Sequence, residues 1–158
     1  KTQSSLNVLF NYWFQGFLQA CLSISFIPLL FSKSHFFPFL PLLICIFGIL
    51  GESLADYQLV CFKKDAKPND ICKVGLWKFS RHPNYFFDIL FWAGISSYTF
   101  LCTKNIFVFA CPILLYIIMR FVTGRISEQV SLEKKGNAYK VYQDSTFMIF
   151  PKLFHRYQ

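Results

Sequence analysis

The 158-residue chain is 54% hydrophobic and 20% aromatic, with 21 Phe, and only 15% of its residues are charged. So much apolar surface with so little charge excludes a disordered or ordinary soluble chain and marks a membrane protein. The formal net charge of +8 sits in clusters that flank apolar runs, so topology and lipid headgroups account for it and no nucleic-acid partner is expected.

Four apolar runs, each near the ~20 residues that cross a bilayer, predict spanning helices at Leu6–Phe31, Phe36–Val60, Phe86–Leu101 and Asn105–Val122. The fold class expected is all-α, a polytopic membrane helical bundle with about four transmembrane helices and a single domain over residues 1–158. The first run is too long and too polar along one side to be a cleaved signal peptide. Because the chain begins at Lys1, it is expected to be processed or to be one part of a longer protein.

Within the first run, Asn7, Asn11, Gln15, Gln19 and Ser23 recur every four residues and form one helical stripe. Hydrogen bonding between helices is the favoured reading of that stripe, and a substrate-lining role is the other. Pro28 is expected to end or kink the helix.

The second run holds Glu52 and Asp56, four residues apart and therefore on one face, with Gly48 and Gly51 a turn earlier where close helix packing is possible. Carboxylates in a spanning helix are functional candidates by default, although pairing with Lys63 or Arg81 would be a purely structural use.

Between the second and third runs lie Lys63, Lys64, Lys67, Lys73, Lys78 and Arg81, and the tail after the fourth adds Arg120, Arg125, Lys134, Lys135, Lys140, Lys152 and Arg156. Four crossings put both basic regions on one face with the N-terminus. The positive-inside rule makes that face cytoplasmic or matrix-like. The cysteines at 21, 45, 61, 72, 102 and 111 form no CxxC pair, so neither a metal site nor a disulfide framework is expected.

The third run is preceded by Gly75-Leu76-Trp77-Lys78-Phe79-Ser80-Arg81-His82-Pro83-Asn84-Tyr85-Phe86. Polar groups this dense beside hydrocarbon must find partners, so something polar is expected to be held there. Pro83 suits the first turn of a helix on which Asn84 and Asp88 share a face. Glu52, Asp56, Lys63, Arg81, His82, Asn84 and Asp88 can thus converge near one membrane surface. Cations there suit phosphates, and carboxylates or Asn suit ribose hydroxyls or an amide. No Gly-rich Rossmann or Walker pattern accompanies them.

The series Glu52-x-x-x-Asp56-x-Gln58-x-x-x-Phe62-Lys63, then Cys72, Gly75-Leu76-Trp77, Ser80 to Phe86, and Trp92-x-Gly94, closely resembles the C-terminal domain of the membrane steroid 5-alpha-reductase family, in its uncharacterised bacterial and protist branch. Thr123-Gly124, Tyr139-x-x-Tyr142 and Phe150-Pro151 are similar to that family's tail, and the resemblance runs from about Gln15 to Phe154. It implies an NADPH-dependent reductase of a lipid or steroid carbon–carbon double bond, an oxidoreductase of lipid metabolism.

By the resemblance, Glu52, Asp56, Lys63, Asn84, Asp88 and Arg120 match cofactor-contacting positions, and Arg81, His82 and Tyr85 complete the cofactor-binding set. The family's substrate-polarising acid and tyrosine lie in N-terminal helices that this chain does not match, so no catalytic residue is assigned and the chain reads as the cofactor-binding half. Phe87 stands where the family has Gly, and Asp88 where it has Glu. The endoplasmic reticulum or the mitochondrial inner membrane of a eukaryote is the implied setting.

Two alternatives accompany this reading. Arg81-His82-Pro83-x-Tyr85, with Arg125-Ile126-Ser127-Glu128, Leu132 and Tyr139, also resembles the S-adenosylmethionine-dependent isoprenylcysteine and phospholipid methyltransferases. A reductase-like chain can also persist as a non-catalytic structural subunit among the other subunits of a large membrane assembly such as those of the mitochondrial inner membrane.

Overall fold

A computed structural model describes residues 20, 22–33, 37–67 and 69–151. Among these the chain is helical without strands. Its α-helices are α1 (Ile27–Leu30), α2 (Phe39–Asp65), α3 (Pro83–Thr103), α4 (Ala110–Ile118), α5 (Gly124–Lys135) and α6 (Asn137–Ser145). Three segments are long and apolar enough to cross a membrane: Phe39–Asp65, Pro83–Thr103 and Ile106–Lys135. The expected spans of the second to fourth runs are therefore present, and the chain is an all-α membrane helical bundle. Most of the Leu6–Phe31 run, with Asn7, Asn11, Gln15 and Gln19, lies outside the described residues.

The ends of the spans differ from the apolar runs for local reasons. Pro83 opens α3 three residues before the run Phe86–Leu101 begins, because a residue without an N–H is at home in a first turn. Lys104 closes α3 in the left-handed region at φ 57 and donates its N–H to Phe100 O at 2.7 Å. Asn105 then caps the next turn by accepting from Phe107 N–H at 3.0 Å. The last span does not stop at Val122. It passes through a π-turn, Met119–Thr123, into α5, so its polar end rises out of the apolar zone as a continuous helix. Before α1, a 3-10 turn at Ile24–Phe26 precedes Pro28, which cannot donate into the preceding turn.

Helix α3 is the hub, packed against α2 on one side and α4 on another. The α2–α3 crossing is close because small residues face it. A methyl group at Gly48 would lie 2.8 Å from Phe91 N, and one at Gly94 would lie 2.7 Å from Cys45 Sγ. The close packing read from Gly48 and Gly51 is borne out, with Gly94 as its counterpart on the facing helix. A second apolar cluster, Leu22, Trp92, Cys111 and Leu115, joins α3 to α4 and to the segment before α1. Lipid-facing side chains of α2, among them Leu40, Phe47, Leu50 and Leu54, are exposed.

The loop after α2 docks back on that helix through two residues of the Gln58/Trp77 pattern. Gln58 Oε1 accepts from Leu76 N–H at 2.9 Å, and the Trp77 indole N–H donates to Ala55 O at 2.9 Å. The polar segment that follows is thereby held at the end of α2.

Candidate functional site: a polar cavity beside a buried ion pair

The loop Ser80–His82 lies along the chain after α6. Arg81 N–H donates to Phe147 O at 3.0 Å and His82 N–H to Met148 O at 2.9 Å, while the Ser80 hydroxyl reaches Ile149 O at 2.7 Å. Tyr142 donates its hydroxyl to Trp77 O and lies within reach of Ser80 O at 3.3 Å. These bonds satisfy backbone groups that have no helix of their own. They also bring the two basic regions to one face, as the charge pattern requires.

Arg81 and Glu128 form the centre of this junction. The guanidinium grips the carboxylate through Nε at 2.7 Å and Nη2 at 2.9 Å, and Nη1 donates to Gln143 O at 2.7 Å and Thr146 O at 2.6 Å. Only one Arg81 N–H is left over. Glu128 accepts further from His82 Nε2 and the Tyr139 hydroxyl, both at 3.2 Å, and from Gln143 Nε2 at 2.7 Å. A buried charge pair is tolerable only with such geometry and with its remaining lone pairs engaged. Burial, and then the negative charge of Glu128, pushes the Tyr139 hydroxyl up to about 12. Burial likewise raises Tyr142.

Beside this pair opens a cavity of about 260 Å³. Lys63 from α2 and Lys135 from α5 contribute cations to its wall, and Ser127 and Ser131, one turn apart on α5, contribute hydroxyls. Trp77, Tyr139 and Tyr142 give it an aromatic side. The rings of His82 and Tyr85 stack at 4.9 Å and 14°. Asn84 also lines it: its Nδ2 donates to Asp56 Oδ1 at 3.2 Å, whereas its buried Oδ1 has no partner. Cys72 in the same wall has its thiol raised, chiefly by burial.

Of the residues proposed from sequence, Lys63, Arg81, His82, Asn84 and Tyr85 meet around this cavity, and Asp56 joins them through Asn84. Glu52 and Asp88 are not in its wall. They lie a turn before Asp56 on α2 and a turn after Asn84 on α3. The acids of α2 do not pair with Lys63 or Arg81; the ion pair among the described residues is that of Glu128 with Arg81, and His82 Nε2 lies within hydrogen-bond distance of the same carboxylate. Arg120 belongs to a different cavity, with Arg125, Glu128 and Gln129. Arg81 lines both, so the Arg81–Glu128 pair is the partition between them.

Phe87 points elsewhere. It is buried on α3 against Gly51, where an added methyl group would overlap its ring, and it packs edge-on to Phe47. Sequence reasoning missed Glu128, Ser131, Lys135 and the structural weight of Tyr139 and Tyr142. The available signals were Glu128 and Tyr139 in the tail pattern, and the spacing of Ser127, Ser131 and Lys135 along one helical face.

Fold and site together define an integral membrane helical protein with a cationic, aromatic cavity at the membrane end that carries its basic loop. The family described as protein of unknown function DUF1295 matches residues 1–146, and the chain belongs to that family. No curated protein matches it, and no solved structure does.

Proposed function

We propose that this chain is the cofactor-binding part of an NADPH-dependent membrane reductase that acts on a carbon–carbon double bond of a lipid or steroid, and that its DUF1295 family stands beside the membrane steroid 5-alpha-reductases. The observation that carries this reading is the convergence of Lys63, Arg81, His82, Asn84 and Tyr85 on one cavity. The donor set fits a phosphate-bearing nucleotide: two lysines for anionic oxygens and an unpartnered amide oxygen for a hydroxyl or amide donor. At about 260 Å³ the cavity falls just short of the roughly 300–1,000 Å³ usual for a whole small ligand, so it suits one portion of a dinucleotide.

In this reading Lys63 and Lys135 hold phosphate, and Asn84, fixed by Asp56, orients the group it accepts from. The His82–Tyr85 stack offers a flat apolar surface. Arg81 lines the cavity but gives four of its five N–H groups to Glu128, Gln143 and Thr146, so with Glu128 it chiefly holds the loop and the tail that form the wall. NADPH, when bound, supplies the hydride, and the surrounding apolar helices admit a lipid substrate while excluding water. The residues that polarise the substrate come from a further segment or partner. The basic face is cytoplasmic or matrix-facing by the positive-inside rule, in the endoplasmic reticulum or the mitochondrial inner membrane.

Two observations favour other readings. The aromatic wall of Trp77, Tyr139 and Tyr142 suits a sulfonium cation, which supports an S-adenosylmethionine-dependent methyltransferase. The Arg81–Glu128 junction, which spends the guanidinium of the motif on the chain's own loop and tail, supports a structural subunit. Titrating the purified chain in lipid nanodiscs with NADPH and, separately, with S-adenosylmethionine separates the three. Saturable NADPH binding that excludes S-adenosylmethionine supports the reductase, the reverse selectivity supports the methyltransferase, and binding of neither supports the structural subunit.

A further inference from the structure

The last span carries its π-turn at a place with a consequence for charge. In an α-helix, residues five apart point about 140° away from each other. Here the wide turn Met119–Thr123 closes with the Gly124 N–H bonded to Met119 O. Arg120 and Arg125 are thereby brought to one aromatic ring, each guanidinium carbon 5.5 Å from the centre of Phe121. Wide turns of this kind recur at functional sites.

Among the described residues neither arginine has a carboxylate partner, and Arg120 Nη1 donates to Met148 Sδ at 3.2 Å. The 8 acidic side chains of the chain all lie among the described residues, and the one that pairs with a described arginine or lysine is Glu128, its oxygens held by Arg81, His82, Tyr139 and Gln143. Two cations beside one ring repel, and an anion near them relieves that repulsion. They line a cavity of about 280 Å³ together with Gln129, Leu132 and Met148, and its inner wall is the Arg81–Glu128 pair, whose carboxylate is already held by those four partners.

Depth argues for the kind of anion. From the turn at Lys104, a rise of 1.5 Å per residue puts Arg120 about 24 Å and Arg125 about 32 Å along the span. The hydrocarbon core is about 30 Å thick, so the two guanidinium groups bracket the boundary between acyl chains and headgroups. Phe121, Val122 and Ile126 on the same helix are exposed and apolar, a surface for chains rather than for water.

We propose that Arg120 and Arg125 form a binding site for the phosphate of an anionic phospholipid in the leaflet on the basic side, with its acyl chains lying along Phe121 and Ile126. The site is separate from the polar cavity, across the Arg81–Glu128 partition, and its assignment does not depend on what that cavity binds. Juxtamembrane cations attract anionic leaflets in general; the shared Phe121 ring and the π-turn set this pair apart from a dispersed basic patch.

The test uses the full chain in neutral detergent micelles doped with phosphatidylglycerol or with phosphatidylcholine, read by the thermal unfolding midpoint. Phosphatidylglycerol should raise the midpoint in a saturable way and phosphatidylcholine should not. Arg125→Gln, at an exposed position, should weaken the apparent phosphatidylglycerol affinity about tenfold or more, the effect of losing a charge-assisted hydrogen bond. Lys140→Gln, an exposed cation on α6, should keep the whole response. Equal response to both lipids, or an unchanged response in Arg125→Gln, overturns the proposal. A full response to inorganic phosphate without added lipid overturns the lipid assignment in favour of a soluble phosphate.

Discussion

The ring of Phe87 on α3 is seated on Gly51 of α2, so that the missing side chain of one residue is the space occupied by the other. Phe87, at a position where the resembled reductases have Gly, thus packs between helices. Phe87 is not in the wall of the polar cavity, which takes Asn84 and Tyr85 from the first turn of the same helix.

Phe87→Gly should therefore destabilise the protein by about 3–5 kcal/mol, the range for emptying a buried aromatic site, and should leave nucleotide affinity unimproved. Gly51→Ala should cost about 1–3 kcal/mol through overpacking. In the Gly51→Ala/Phe87→Leu double variant the two costs should be less than additive, since the smaller side chain makes room for the methyl. Thermal unfolding in detergent measures all three; improved NADPH binding by Phe87→Gly would show that the ring occupies the ligand path.

The Arg81–Glu128 pair makes a different expectation. Removing one partner leaves the other charge buried, so Arg81→Met and Glu128→Gln should each lose about 3–5 kcal/mol. The double variant should be markedly more stable than the sum of the two. A double-mutant cycle on unfolding midpoints gives the coupling, and additive losses would mean that the two residues act independently.

Ligand retention should separate the cations by cavity. Lys63→Gln and Lys135→Gln should each weaken NADPH binding by about 1–3 kcal/mol, whereas Arg120→Gln, across the Arg81–Glu128 partition, should leave it within twofold. Equilibrium dialysis with radiolabelled NADPH reads this directly. Loss on Arg120→Gln with no loss on the lysine variants would move the nucleotide to the other cavity.

Alkaline stability should report on Tyr139. Its hydroxyl is raised from the usual value near 10 to about 12, by burial and by the charge of Glu128. The neutral phenol is the form the folded state favours. Its contribution is fully present below about pH 10 and is lost as the pH rises toward 12. Unfolding midpoints measured from pH 9 to pH 12 should fall less steeply in Tyr139→Phe than in the unaltered chain, and parallel curves would remove Tyr139 from the cause.

Sequence by itself determined the membrane class, the three spans within the described residues and the close α2–α3 crossing. Long apolar runs have one stable solution in lipid, a helix that satisfies its own backbone, and small residues a turn apart mark where two such helices meet. The motif from Lys63 through Arg81 to Tyr85 was legible as a polar cluster for the same reason, since polar groups beside hydrocarbon need partners. Tertiary structure alone decided how those polar groups are used. The guanidinium of Arg81, in the cavity wall, is engaged by Glu128, 47 residues away. Arg120 lines a second cavity, where a π-turn sets it beside Arg125. Phe87 is seated on Gly51 of the neighbouring helix. Each of these outcomes depends on a partner distant in the chain or on a local change of helical register, and residue spacing along a single helix carries neither.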